Sequence, residues 1–202
     1  MSIENKVRQI EHLFDSLEIE ITKFKSDSNL HCISGCGKCC TTPYIDASPL
    51  EFLPWAFHLF LNHKAEETLN ELKNNSTSFC YIYKPLNILN NNNGSCTNYK
   101  YRGLICRLFG FAASKDQLGK LRLATCKIIK ETQTENFKNT SEAINKGLYV
   151  PIFSNYYMKL AQIDFKMATT MLPINLALQQ AIEEVLHYYA YRPFPNELKE
   201  IA

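Results

Sequence analysis

The sequence has no run of about 20 apolar residues, the length a membrane-spanning helix needs, so no part of its 202 residues reads as a bilayer span. It has no charge of one dominant sign. Twenty-two lysines and arginines against 20 aspartates and glutamates leave a formal charge of +2, which gives no reason to expect nucleic acid or an anionic membrane as partner. The opening Met1-Ser2-Ile3-Glu4-Asn5-Lys6 lacks the basic-then-apolar layout of a secretory signal, so a cytoplasmic protein is expected. A phosphate-binding glycine loop, a nucleophile elbow and an evident catalytic dyad are all missing, and no internal repeat or long linker breaks the chain. No catalytic residue is therefore assigned, although Asp46 and Glu51 have the chemistry for acid–base work.

Cysteine is missing from both ends: none precedes Cys32 and none follows Cys126. The eight present are Cys32, Cys36, Cys39, Cys40, Cys80, Cys96, Cys106 and Cys126. Buried cysteines serving as small hydrophobes would scatter through the core, and a reducing compartment disfavours disulfides. Thiolates are the soft ligands that zinc and iron–sulfur clusters take, and a short loop brings several together by fixing few dihedrals. Glycine is scarce too, only 7 in all, yet Gly35 and Gly37 fall inside that loop. There they permit backbone angles that turn several sulfurs toward one point and leave amides free to donate to sulfur. Cys96, Cys106 and Cys126 come from elsewhere in the fold. Cys80 follows Phe79 and reads equally as a simply buried residue. His31 reads as a solvated loop residue, and His12, His58, His63 and His187 as helix residues.

Around this region the pattern is helical. Ile3, Val7, Ile10, Phe14, Leu17, Ile21 and Phe24 share one face of an amphipathic helix expected to dock on the protein's own core. Ser48-Pro49-Leu50-Glu51 predicts a capping box opening a helix with the stripe Leu50, Leu53, Phe57, Leu61, Leu69 and Leu72, tightened or kinked at Pro54 and ended by Asn74 to Ser76. Short strands are expected at Tyr81 to Tyr83, Leu108 to Ala112 and Leu121 to Ala124, with a turn at Asn90 to Gly94. Helices return near Ser141 to Lys146, from about Pro151, and after Pro173 through Ile174, Leu178, Ile182, Val185 and Tyr189. Tyr156, Tyr157, Tyr188, Tyr189 and Tyr191 read as helix packing. The expected fold is mainly α with a small, irregular, β-containing cysteine-rich module. The expected organisation is a single domain over 1–202: an N-terminal helix at 1–27, a metal-binding region at 31–126 and a helical region at 127–202.

Gly35-Cys36-Gly37-Lys38-Cys39-Cys40 resembles the signature of the CxxCxxCC cysteine-cluster family, the zinc- or iron-chelating (YkgJ-like) proteins. A second stretch agrees. Cys96 followed by Tyr99 and Arg102, then Cys106-Arg107-Leu108-Phe109, is similar to that family's run of cysteine, tyrosine, Arg-Pro and Cys-Arg with an aromatic. Cys80 sits where the family often has a further cysteine. Two departures stand out: Gly103 replaces the usual proline, and three residues rather than two separate Cys32 from Cys36. The resemblance implies metal chelation, with Arg102 and Arg107 offsetting the negative charge of the thiolates. Some relatives are similar to flagellin lysine methylases, which keeps an enzyme alternative open. An oxidoreductase using the centre is a further enzyme alternative, and a partner-binding protein with structural zinc is a third reading. Cys32, Cys36 and Cys39 also fit the CxxxCxxC loop of radical S-adenosylmethionine enzymes. Here, however, the loop follows a helix and no strand–helix alternation comes after it. The expected cofactor is zinc or an iron–sulfur cluster. Eight thiols exceed the four one zinc needs, so the lean is toward iron–sulfur, and the expected partner is the metal ion or cluster itself.

Overall fold

The structure is a computed structural model that describes residues 1–33, 35–43, 45–85 and 94–195. Helix α1, Ile3–Ser28, opens where the Ser2 side chain accepts a hydrogen bond from the Asn5 amide at 3.3 Å. It closes at Asn29, whose φ of 55° is the left-handed cap that asparagine tolerates. The seven apolar residues of its expected face are buried, and Leu13 joins them. Helices α2, Leu53–Leu61, and α7, Phe153–Ile163, cover that face.

The capping box forms at Ser48: its amide donates to Glu51 Oε1 at 2.9 Å. The chain then makes one tight turn over Pro49–Phe52 before α2 begins, with Pro54 in its first turn. The single long helix expected from here to Asn74 is in fact two. His63 adopts φ 55°, and the Lys64 amide reaches back to the Leu59 carbonyl at 2.9 Å, a left-handed helix stop. Helix α3, Ala65–Asn74, restarts after it. The break lets both pieces pack on α9, Ile174–Tyr189. That helix buries Ile174, Ala177, Leu178, Ala181, Ile182, Val185 and Tyr189. At roughly 1.5–3 kcal/mol for each large apolar side chain, this face is a main source of folding energy.

The strands are short antiparallel pairs. β1, Asp46–Ala47, pairs with β6, Leu172–Pro173, a contact not foreseen in the sequence. β2, Tyr83–Pro85, pairs with β3, Gly94–Cys96, so the strand expected at Tyr81 begins two residues later. Most of the expected turn at Asn90 to Gly94 lies outside the described residues. β4, Ala112–Lys115, pairs with β5, Leu121–Ala124. The strand expected from Leu108 instead starts at Ala112, because Leu104–Leu108 forms helix α4 and Gly110, at φ 99°, turns the chain into β4. Helices α5, Lys127–Thr132, α6, Thr134–Ile144, and α8, Phe165–Thr169, complete the set among the described residues. The result is mainly helical with small strand pairs, and one continuous apolar cluster runs from α1 through Leu104 and Leu108 to α9. Among the described residues no helix is long and apolar enough to cross a membrane.

Candidate metal centre

The cysteine loop is held by backbone geometry that only glycine gives cheaply. Gly35 and Gly37 have φ of 69° and 55°, and a tight turn at Lys38–Thr41 then carries Cys39 and Cys40 side by side. A Cβ at Gly37 would stand 2.6 Å from the Tyr83 ring and 2.7 Å from the Gly94 carbonyl oxygen, so loop and hairpin are in close contact. The Gly94 amide donates to the Gly35 carbonyl at 3.0 Å. The Cys80 amide donates to the Cys40 carbonyl at 3.1 Å, which places a third thiol beside the first two. Register then sets Cys96 opposite Tyr83, and α4 carries Cys106 in its first turn. Cys126 sits apart at the start of α5, where its sulfur accepts from the Ile129 amide at 3.4 Å. Its surroundings are tied to the loop by Gln133, whose side chain pairs with both the amide and the carbonyl of His31, at 3.0 and 2.8 Å.

Cys39, Cys40, Cys80 and Cys106 line one cavity of about 320 Å³, walled otherwise by Ile45, Ile105, Phe109 and Ile174, with Thr42 and Asp46 at its edge. The thiols feel one another. Cys39 is drawn down chiefly by a hydrogen bond from Cys40, and the same bond raises Cys40. Burial pushes Cys80 up to about 11, helped by Cys96 and Cys39. Burial also raises Cys106, with Cys80, Glu51, Cys39 and Cys96 adding to the effect. A bound cation reverses that logic, because it stabilises every thiolate at once. Cys32 belongs to an outer group: burial raises it first, then Cys36, Cys39 and Cys126. The structure therefore gathers Cys39, Cys40, Cys80, Cys96 and Cys106 on one side. It gathers Cys32, Cys36 and Cys126 on the other, near enough for the Cys39 charge to reach Cys32.

Among the described residues no group of three or more His, Cys, Asp or Glu side chains is arranged to hold a metal ion as it stands. The donor set nonetheless fits such a group in kind: soft sulfur ligands on a short glycine-flexed loop, facing a cavity with two further thiols.

Arg102 and Arg107 brace the same segment. Arg102 donates from Nε to the Tyr99 carbonyl at 3.2 Å and lies 3.5 Å above the Tyr99 ring. Arg107 donates to the carbonyls of Arg102 and Lys100, at 3.0 and 2.6 Å, and pairs with Glu18 on α1 at 3.5 Å. The Arg102 charge reaches the thiols, acting to lower both Cys39 and Cys96. The histidines lie elsewhere: His31 is exposed, and His58 stacks on Tyr101 with ring centroids 4.8 Å apart.

Asp46 is exposed at the cavity edge. Glu51, in contrast, is fully buried and joins the capping box to α4 and α7. Of the tyrosines read as packing, Tyr156 and Tyr189 are buried, whereas Tyr191 is 96% exposed and packs on nothing of the core. Gln133 and Tyr83 were not singled out by sequence. A lone glutamine after a short helix carries no signal, and the strand alternation around Tyr83 says nothing of a glycine loop lying on its ring.

Thiols from three separate segments meeting at one cavity, in a mainly helical chain, mark a cysteine-cluster metal-chelating protein. The profile of the family described as "CxxCxxCC, putative zinc- or iron-chelating domain" matches residues 31–143, more than half of the chain, and the chain belongs to that family. No curated protein and no solved structure matches it.

Proposed function

We propose that the protein holds its metal where Cys39, Cys40, Cys80 and Cys106 face the shared cavity, with Cys96 beside them and Cys32, Cys36 and Cys126 on the outer side. The observation that carries this is the cavity itself, whose thiol wall draws on the loop, the Cys80 turn and α4. The centre is iron–sulfur in preference to zinc, since the chain's eight cysteines exceed the four ligands of one zinc ion. Bound there, such a centre supplies either a structural cross-link or a redox-active group. Arg102 offsets part of its negative charge, and the apolar wall limits water. The test is anaerobic purification from iron-replete cells with elemental analysis and a visible spectrum. Stoichiometric iron with a charge-transfer band is expected. Colourless, zinc-loaded protein overturns the cluster, and metal-free protein with freely titrating thiols overturns the centre.

A second reading is an enzyme, and the apolar half of the cavity favours it. Ile45, Phe109 and Ile174 leave space beside a metal for a small apolar substrate. A coordination position that exchanges with added ligands in the metal-loaded protein supports catalysis; a closed set of protein ligands rejects it.

A further inference from the structure

Glu51 is a carboxylate only 1% exposed, yet it is not among the residues lining the cavity. Its two oxygens serve two different parts of the fold. Oε1 accepts from the Ser48 amide at 2.9 Å, the Ser48 hydroxyl at 3.2 Å and the Tyr157 hydroxyl at 3.1 Å. Oε2 accepts from the Ile105 amide at 2.8 Å, in the first turn of α4 and directly before Cys106. Burying an ionisable group is costly unless it is fully hydrogen-bonded, so these donors are what keeps it there. The chain also clears space for it. A Cβ at Gly103 would lie 2.8 Å from the Phe52 ring and 3.0 Å from Glu51 Oε2. Gly103 has φ −62°, an angle any residue adopts, so the need for glycine there is steric and not conformational.

We infer that Glu51 is a positioning residue for the metal centre: it fixes the first turn of α4 against the capping box and so sets where the Cys106 sulfur points. This rests on the thiolate centre proposed above. The chemistry is specific to a carboxylate. Two backbone amides, Ser48 and Ile105, donate to opposite oxygens, and glutamine has one carbonyl oxygen to offer. In Glu51→Gln the hydroxyls of Ser48 and Tyr157 can rotate to accept, but one of the two amides must face an NH₂ group. Cys106 is then no longer held, while the rest of the thiol set is untouched.

The test is cobalt(II) binding to the full chain, read from the thiolate-to-cobalt absorption band, for the wild type, Glu51→Gln, Cys106→Ser and the double variant. Partners that orient ligands without touching the metal typically account for about 10–100-fold in affinity, and Glu51→Gln is expected in that range with its helical circular dichroism retained. Because Glu51 acts through Cys106, the double variant should bind no more weakly than Cys106→Ser alone. An unchanged Glu51→Gln affinity, or losses that simply add, overturns the assignment. If Glu51→Gln loses its helices, Gly103→Ala takes its place in the same cycle. Its methyl intrudes between Phe52 and the carboxylate, and it must weaken binding without adding to Cys106→Ser; additivity again overturns the inference. Wild-type protein that shows no thiolate-to-cobalt band rejects the thiolate centre, and the inference with it, a result distinct from either failure of the cycle.

Discussion

Gly37 illustrates how much of the candidate centre depends on single atoms. Its φ of 55° and the approach of Tyr83 and the Gly94 carbonyl leave no place for a methyl group. Gly37→Ala incurs about 1–3 kcal/mol from the left-handed backbone alone, before any clash. It is expected to lower metal content and to release the loop from the hairpin, which proteolysis within 31–42 would report; retention of full metal by a stable variant counts against the loop's rigidity. The cysteines should rank by position. Serine at Cys39, Cys40, Cys80 or Cys106 is expected to cut bound metal sharply, and serine at Cys126, which caps α5, least. Metal analysis of the single variants decides this, and equal retention across all of them would reject the ranking. Cys80 shows what sequence could not resolve. Beside Phe79 it reads equally as an apolar filler, and its amide's bond to the Cys40 carbonyl is what sets it beside the loop.

At the scale of elements, long helices were legible and the shortest strands were not, for a physical reason, although β5 formed at the expected Leu121 to Ala124. α1 and α9 span 26 and 16 residues, so their apolar spacing repeats over several turns and the buried face follows directly. β1 and β6 have two residues each, too few for an alternation to exist, and their pairing depends on the Ile174 amide finding the Ile45 carbonyl. The α2–α3 break was hidden because its stop is His63 and not glycine, the usual marker of a left-handed helix end. One contact between elements yields a pH prediction. Lys6 of α1 pairs at 2.7 Å with Asp164, which also caps α8 by accepting from the Met167 amide at 3.0 Å. Burial acts to raise the Asp164 carboxyl, but Lys6 and the amide outweigh it and its pKa is lowered. A carboxylate depressed in the fold contributes stability that is present above its unfolded value, about 3.9, and is lost as pH falls through its folded value. Asp164→Asn keeps a cap and removes the charge. The gap in urea midpoint between wild type and Asp164→Asn should therefore close as pH drops from 5 toward 2; a constant gap would assign Asp164 a role independent of its charge.

Across the whole molecule, the proposed metal and the core are expected to divide the work of holding the cysteine region. None of the described residues from 31 to 43 is buried, so the loop gains little from apolar packing against an ordering cost of about 1–2 kcal/mol per residue. The segment from 79 to 126 is not uniform. Leu104, Leu108, Phe111, Ala112, Ala113 and Leu123 are buried in the same cluster as α1 and α9, which anchors α4, β4 and β5 without help from a ligand. Tyr81 to Pro85 and Gly94 to Tyr101 bury little besides Ile82 and Gly94, and contacts with the loop are part of what holds them. A thiolate site can supply on the order of 10 kcal/mol at neutral pH, far more than those contacts. Removing metal should therefore expose amides first in the loop and in the β2–β3 pair, while α4 and the β4–β5 pair keep protection close to that of α1 and α9. Acidification should loosen the same two segments, because ligand thiols must be deprotonated to bind. Hydrogen exchange on loaded and chelated protein separates the two behaviours. Uniform loss across 79–126 would mean that the buried residues of α4, β4 and β5 do not hold that half of the region, and loss beginning in α1 or α9 would mean that the metal organises the core rather than the loop laid upon it.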